Sequence, residues 1–416
     1  MNNIKRNITV LSALLLLSLY VFISCSTPWS VSGSGKVVTR NFNFTGFTKV
    51  YVDYLMNVNI VQGDTFKVEA RLDDNLFDYV DIFMKDDAVH VAFKGGLFNF
   101  QGYTEAVLSI TMPKLNSVYM SGRGKTTISG FKQPDDDIAI THSGSADMRI
   151  EVLAKTLHIT NSHRSNIFLK GQAQKLVYTA SGSGSLYADH FTAEDMNVSC
   201  THRGNAEVTV SKSLSAFIKG SGSITAKGSA QNVSVINSAR GTFNGAGLHT
   251  QQATVNLSGS GNAEITVQKS LDASIVHSGS IIAHGTGEQL KLYASGSGSL
   301  KAGDLKVKEA HITCTHSGEA EVYVLEQLEA AVKGSGSVMA GGTAESVFFK
   351  SSHRGSLKAL DLKAKKAVIT CTGSGGAEIS VSEVLQVTGD GKATIVYRGS
   401  PSKLNISTRN NVTRIE

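Results

Sequence analysis

Histidine, acidic and thiol side chains recur in this chain at spacings that invite three kinds of chemistry: metal binding, hydrolysis and disulfide formation. His142, His202, His277, His316 and His353 each stand two residues before a glycine of a repeated Gly/Ser corner, and His163 takes the equivalent slot ahead of Ser165. In the repeats between, the slot holds Gly182, Gly220, Ala239, Gly259, Gly296, Gly334 or Gly373. If successive repeats stack as coils about 4.8 Å apart, histidines on alternate coils stand about 9.6 Å apart. Zinc–nitrogen bonds of about 2.0–2.1 Å cannot join rings at that distance. His142 and His163 are the one neighbouring pair, and two ligands make a poor site. The alternation of bulky and tiny residues is therefore expected to serve packing, each imidazole lying over the space that its glycine neighbours leave. No metal is expected.

Hydrolysis of a polymer would need paired carboxylates, or a nucleophile beside its base. The dense acidic cluster Asp135-Asp136-Asp137 follows Pro134 and reads as a solvated turn. Glu207, Glu264, Glu321 and Glu378 recur at one constant interval, three repeats long, which suits a ladder better than one active centre. Serines crowd the corners, yet no Gly-x-Ser-x-Gly string leads into a helical pattern. No catalytic residue and no cofactor are expected, so the chain reads as a non-enzyme. Beyond Cys25, the odd set Cys200, Cys314 and Cys371 cannot all pair within one chain. With nineteen-residue coils, Cys314 and Cys371 stand three coils or about 14 Å apart, beyond the roughly 7 Å that a disulfide spans. Buried free thiols are expected.

The amino terminus carries an address. Lys5 and Arg6 precede an apolar run from Val10 to Ile23 that ends at Ser24-Cys25-Ser26. The run is short for a membrane span and has the basic, apolar, small-residue order of a secretory signal. A cysteine directly after a small residue resembles a bacterial lipobox, although Phe22 departs from the usual leucine. The expectation is a signal peptide over 1–24, cleavage before Cys25, and lipid attachment to its sulfur. Residues 25–37 then form a tether, and the partner at this end is the outer membrane, reached through the lipid anchor. The absence of acidic residues at 26–35 favours a periplasm-facing orientation over surface exposure.

The elements that must position the recurring side chains follow from the repeat itself. The steps from Gly184 to Gly204, Gly222 and Gly241 differ slightly, and the same three steps recur in order through Gly261, Gly279 and Gly298 and on to Gly375. Their mean is about nineteen residues. Between corners, apolar residues alternate in short bursts: Leu300 and Ala302, Leu305 and Val307, then Ala310, Ile312 and Cys314. Alternation of period two, broken by polar residues, predicts short strands with one face inward. The glycines are expected because a sharp turn calls for positive φ and leaves no room for Cβ. Residues 121–398 are thus expected to form the solenoid proper, with coils of about nineteen residues. A wider coil of three such units, fifty-seven residues in all, or a folded arrangement that pairs units three apart, is the alternative. Residues 38–120 alternate well without a fixed period and read as an N-terminal β segment that caps and starts the solenoid. Residues 399–416 read as a C-terminal cap, since Pro401 stands where strand pairing should stop.

Composition supports a thin β protein, with 41 glycines and only 4 prolines among 416 residues. The 40 basic and 34 acidic residues give +6, and without Lys5 and Arg6 the balance is 38 to 34, or +4. Charges are scattered singly along the sequence, with no basic stripe interleaved with aromatics, so a nucleic-acid partner is not expected.

Taken together, the leader, the alternating stretch around Val50–Phe93, Ile110-Thr111-Met112-Pro113-Lys114-Leu115 and the serial Ser-Gly-Ser-Gly corners resemble one family. The closing Val396-Tyr397-Arg398-Gly399-Ser400-Pro401 completes the likeness. That family is the putative auto-transporter adhesin, head GIN domain family, with the related toastrack-like putative adhesins. The resemblance implies an all-β, right-handed parallel β-helix (β-solenoid) in an exported envelope protein. No Gly-Ile-Asn triplet is present. The function expected is non-catalytic binding of a glycan or protein along the repetitive flank. A structural spacer or envelope-stress component is the alternative, and a polysaccharide-degrading β-helix enzyme is the less favoured one.

Overall fold

A computed structural model describes residues 29–53, 55–94 and 98–416. Among them the chain is almost wholly β, with one 3-10 turn at Asp74–Asp78 and no α-helix. From Met148 onward each coil pairs in parallel with the next. Met148 lies beside Ile167, Ile167 beside Leu186, Leu186 beside Ala206 and Ala206 beside Ile224. One coil is therefore about nineteen residues, and the longer period belongs to a block of three coils. The alternating residues are the reason for the stack. Leu300, Ala302, Leu305, Val307, Ala310, Ile312 and Cys314 are all buried, as their spacing predicts. Small and β-branched side chains fill a narrow interior, while each coil's backbone donors and acceptors are used by its neighbours.

Two turns interrupt each coil. The first is a five-residue Gly/Ser corner, for example 219–223 between the buried Ile218 and Ile224. Its glycines do not have positive φ. A Cβ on Gly220 would lie 1.8 Å from the carbonyl oxygen of His202, and one on Gly182 would lie 1.9 Å from that of His163. Close approach between coils, and not backbone handedness, selects glycine here.

The second turn does need handedness. Gly171, Gly228, Gly285, Gly342 and Gly399 recur on every third coil with φ between +106° and +111°. The first four pair with Phe191, Leu248, Leu305 and Leu362 of the next coil. Each of these apolar residues ends a three-residue bulge (189–191, 246–248, 303–305 and 360–362) that has no partner on the following coil. The bulge turns its last side chain into the core, where all four are buried, and exposes the residue just before it, His190, Gly247, Asp304 or Asp361.

The amino-terminal segment closes the stack. Lys49–Val52 and Asn57–Gln62 already form coil strands beneath Ser117–Met120 and Thr126–Gln133. Below them, Val37–Phe42, Lys67–Asp73 and Ala106–Met112 pair antiparallel, as do Val80–Lys85 and Ala88–Phe93. These hairpins cover the first coil's edge, the arrangement expected of a cap.

The carboxyl end differs from expectation. Pairing continues past Pro401: Lys403–Thr408 lies beside Val384–Gly389, and Asn411–Ile415 beside Thr394–Arg398. Pro401 sits in the turn between strands, where its missing N–H costs no ladder bond. Residues 399–416 add a further coil in place of a cap, leaving the core-column residues Leu404 and Ile406 44% and 46% exposed.

Candidate binding surfaces

Cys25 lies outside the described residues. The three other cysteines are buried and free, and Cys314 and Cys371 share one inward column with Val332 and Ser351 between them. Burial pushes the Cys200 thiol up to about 12 and those of Cys314 and Cys371 up to about 11. Thiols held neutral in an apolar column act as small packing residues.

The histidines part company. Residues 133–137 carry an extra turn, so Met120 pairs with His142, a longer step than on later coils, and His142 pairs with Asn161. His142 therefore belongs to the buried column, where its Nε2 lies 2.7 Å from the carbonyl oxygen of Ala146. Asn161, Asn237 and Ser351, also in that column, donate to the carbonyl oxygens of Ser165, Gly241 and Gly355. Each spans the corner from residue i to i+4; the Gly241 and Gly355 carbonyls also accept from the backbone N–H of Asn262 and Gly376 on the next coil, so there the side chain adds a second bond. His163, His202, His277, His316 and His353 occupy the predicted slot but are exposed. The glycines between them accommodate histidine backbone carbonyls, not imidazole rings.

Asp135 and Asp137 are exposed in a turn, and Asp136 is held by Lys114 Nζ at 2.6 Å. Glu207, Glu264, Glu321 and Glu378 share one outward column, on every third coil. Neighbours in that set stand about 14 Å apart, whereas glycosidic chemistry places its two carboxyls about 5–9.5 Å apart.

Sequence reasoning missed the bulges and the recesses they create. Between the bulges at 303–305 and 360–362 lies a recess of about 490 Å³ lined by Glu321, Tyr323, Lys358, Asp361, Glu378 and Arg398. Leu360 and Arg398 also line an adjoining recess of about 570 Å³, whose rim carries the ion pair of Lys365 with Glu345 at 2.7 Å. The one available signal was the constant fifty-seven-residue interval of a glycine outside the Ser-Gly strings, at Gly171, Gly228, Gly285 and Gly342. Further toward the amino terminus the glutamate column becomes aromatic. Arg149 stacks over Phe168 at 4.7 Å, and Phe168 stacks on Tyr187 at 5.2 Å.

These features define a repeat solenoid that displays side chains in columns at a fixed rise along a rigid scaffold. The chain belongs to the family described as putative auto-transporter adhesin, head GIN domain, whose model matches residues 46–230, 218–287, 275–342 and 327–401. Among solved structures it is similar to a putative adhesin from Bacteroides fragilis, with 17% identity, a TM-score of 0.44, and coverage of 56% of this chain and 98% of that one. A putative adhesin from Parabacteroides distasonis shows 22% identity, a TM-score of 0.38, and coverage of 65% and 99%. A protein from the same species described as a putative lipid binding protein shows 14% identity, a TM-score of 0.24, and coverage of 93% and 100%. No curated protein matches the chain.

Proposed function

We propose that this protein is a non-catalytic adhesin of the bacterial envelope, held to the outer membrane by lipid on Cys25, that binds glycan or protein along its flank. The observation that carries this reading is the repetition of equivalent exposed positions on successive coils. Repeated weak contacts on a rigid rod gain affinity through multivalency without one deep pocket. Family membership supports an adhesin and an envelope location. Several acyl chains on one cysteine would anchor it durably, since each buried methylene contributes about 0.8 kcal/mol.

The test uses the chain of residues 26–416, immobilised and presented with envelope glycans, extracellular-matrix proteins and whole cells. Saturable binding to at least one of these is expected, and its absence from all would remove the adhesin reading. Deleting residues 263–319 joins Asn262 to Ala320 in register and removes one block. An adhesin loses avidity on that deletion, whereas a pure spacer changes only in reach. Anchoring is tested separately: Cys25→Ala is expected to abolish incorporation of labelled palmitate and to release the protein from the membrane fraction.

A further inference from the structure

The charges that look scattered along the sequence are lined up by the coil. Every Gly/Ser corner has five residues between two buried positions, and the strand pairs on either side set its register. Met120 beside His142 and Thr126 beside Met148 place Ser145 over Arg123. His142 beside Asn161 and Met148 beside Ile167 place Arg164 over Ser145. Continuing upward, the middle residue of each corner is Ser183, Arg203, Ser221 and then Arg240. Arg123, Arg164, Arg203 and Arg240 thus occupy alternate coils, with serine on each coil between. Their rise is about 9.6 Å per step.

All four arginines are exposed, and none has a carboxylate within 4.0 Å among the described residues. In the seven corners from 121 to 242 the one acidic residue is Asp147, which accepts from the backbone N–H of Asn166. Asp53, on the coil below, is bonded by Ser121 Oγ. Lys125 and Lys219 add to the same edge, and His163 and His202 flank two of the arginines. Further up, the column turns to serine from Ser260 to Ser335, and Arg354 and Lys392 resume the alternate-coil rhythm.

We infer that this corner ladder binds a linear acidic glycan carrying one carboxylate per disaccharide. An extended chain of two pyranose rings spans about the interval between successive guanidinium groups, so each acidic group meets one planar donor fork. The serines between leave room for the neutral ring and offer it hydroxyls. Tyr119, 37% exposed and four residues before Arg123, supplies an apolar platform at the amino-terminal end of the ladder. Duplex DNA, with a phosphate about every 3.4 Å of each strand, is far denser than this ladder. The inference rests on the adhesin reading and names its ligand class.

The experiment measures binding of hyaluronan oligosaccharides to the chain of residues 26–416, with dextran and duplex DNA as comparison ligands at one ionic strength. The variant replaces Arg123, Arg164, Arg203 and Arg240 by serine together, which copies the chain's own all-serine stretch and so preserves the corner. Each lost exposed contact is worth about threefold, so the quadruple variant is expected to bind hyaluronan about 100-fold more weakly. Ser278→Arg with Ser317→Arg fills the gap in the ladder and is expected to tighten binding of long chains while leaving short ones unchanged. Unchanged hyaluronan affinity in the quadruple variant overturns the inference, as does tighter binding of duplex DNA than of hyaluronan. Binding of dextran or a protein without hyaluronan overturns it too, but leaves the adhesin reading standing. Only failure to bind any presented surface removes both.

Discussion

Glycine serves both kinds of turn, in nearly every Gly/Ser corner and in the second turn of every third coil, and for different physical reasons. At the Gly/Ser corner φ is ordinary and the forbidden object is a Cβ, because the carbonyl oxygen of the coil below would almost coincide with it, as for Gly220 over His202 at 1.8 Å. At the second turn, Gly228 has φ +106° and also lacks space, with the Val210 oxygen 2.3 Å from a built Cβ. The consequences divide accordingly. A corner held by backbone contacts leaves its middle residue free to vary, so Arg203 and Ser221 occupy equivalent places on successive coils. A turn held by backbone conformation creates a bulge, and the bulges shape the recesses on that edge. The display of charge and the shaping of hollows are therefore assigned to opposite turns.

The contrast between the two turns is tested most strongly by Gly228→Ala. It combines an unfavourable φ with a backbone collision, each worth about 2 kcal/mol, so a loss of about 4 kcal/mol is expected in urea denaturation. Asparagine, which tolerates a left-handed backbone better than alanine, should not rescue the site, because the collision remains. A second test addresses the buried column that leads into the Gly/Ser corner. Cys200, Cys314 and Cys371 have thiols raised to between about 11 and about 12, against 9.0 for a free thiol. The folded state therefore keeps protons that the unfolded chain releases. Their contribution is fully present below about pH 9 and is lost as pH rises toward 11–12. A urea midpoint that falls over that range, and falls less in a variant with all three cysteines changed to alanine, is the expected result. Third is Gly220→Ala, where the collision stands alone and about 2 kcal/mol is expected. Hydrogen exchange should show the loosening confined to the corner amides of neighbouring coils.

Much of this was legible because period-two alternation and a fixed interval report inward faces and coil length directly. The buried set from Leu300 to Cys314, the free thiols and the exposed turn at Asp135–Asp137 all follow from spacing. Three features were not legible. His142 was misplaced because the turn after Gln133 lengthens its coil, setting His142 beside Met120, and a count of nineteen or twenty aligns the wrong residue. The bulges escaped because Gly171 and its successors lie outside the Ser-Gly-Ser strings that mark the other corner and have no flanking residue common to all of them. The arginine ladder escaped because Arg123, Arg164, Arg203 and Arg240 stand at unequal steps, which show no constant period until coil register is known. For His142 and the arginines, a difference of one to three residues in coil length, harmless to the stack, hides an alignment from linear reading.

The smallest expected effect is also the most discriminating. In the slot where His163, His202 and His353 alternate with glycine, Ala239 is the one small residue that keeps a Cβ, and it does so on a coil of the histidine class. If alternate corners truly differ in how closely they approach the coil below, Ala239 already has room, and Ala239→Gly removes nothing but backbone restraint. The expected loss is about 0.5–1 kcal/mol, the entropic cost of glycine. Ala239→His should be neutral within about 0.5 kcal/mol, since the exposed side chain meets no core. A gain in stability from Ala239→Gly would mean that its Cβ is also compressed. In that case the His/Gly alternation would not arise from alternating coil approach, and the contrast between Gly220 and its histidine neighbours would need another cause.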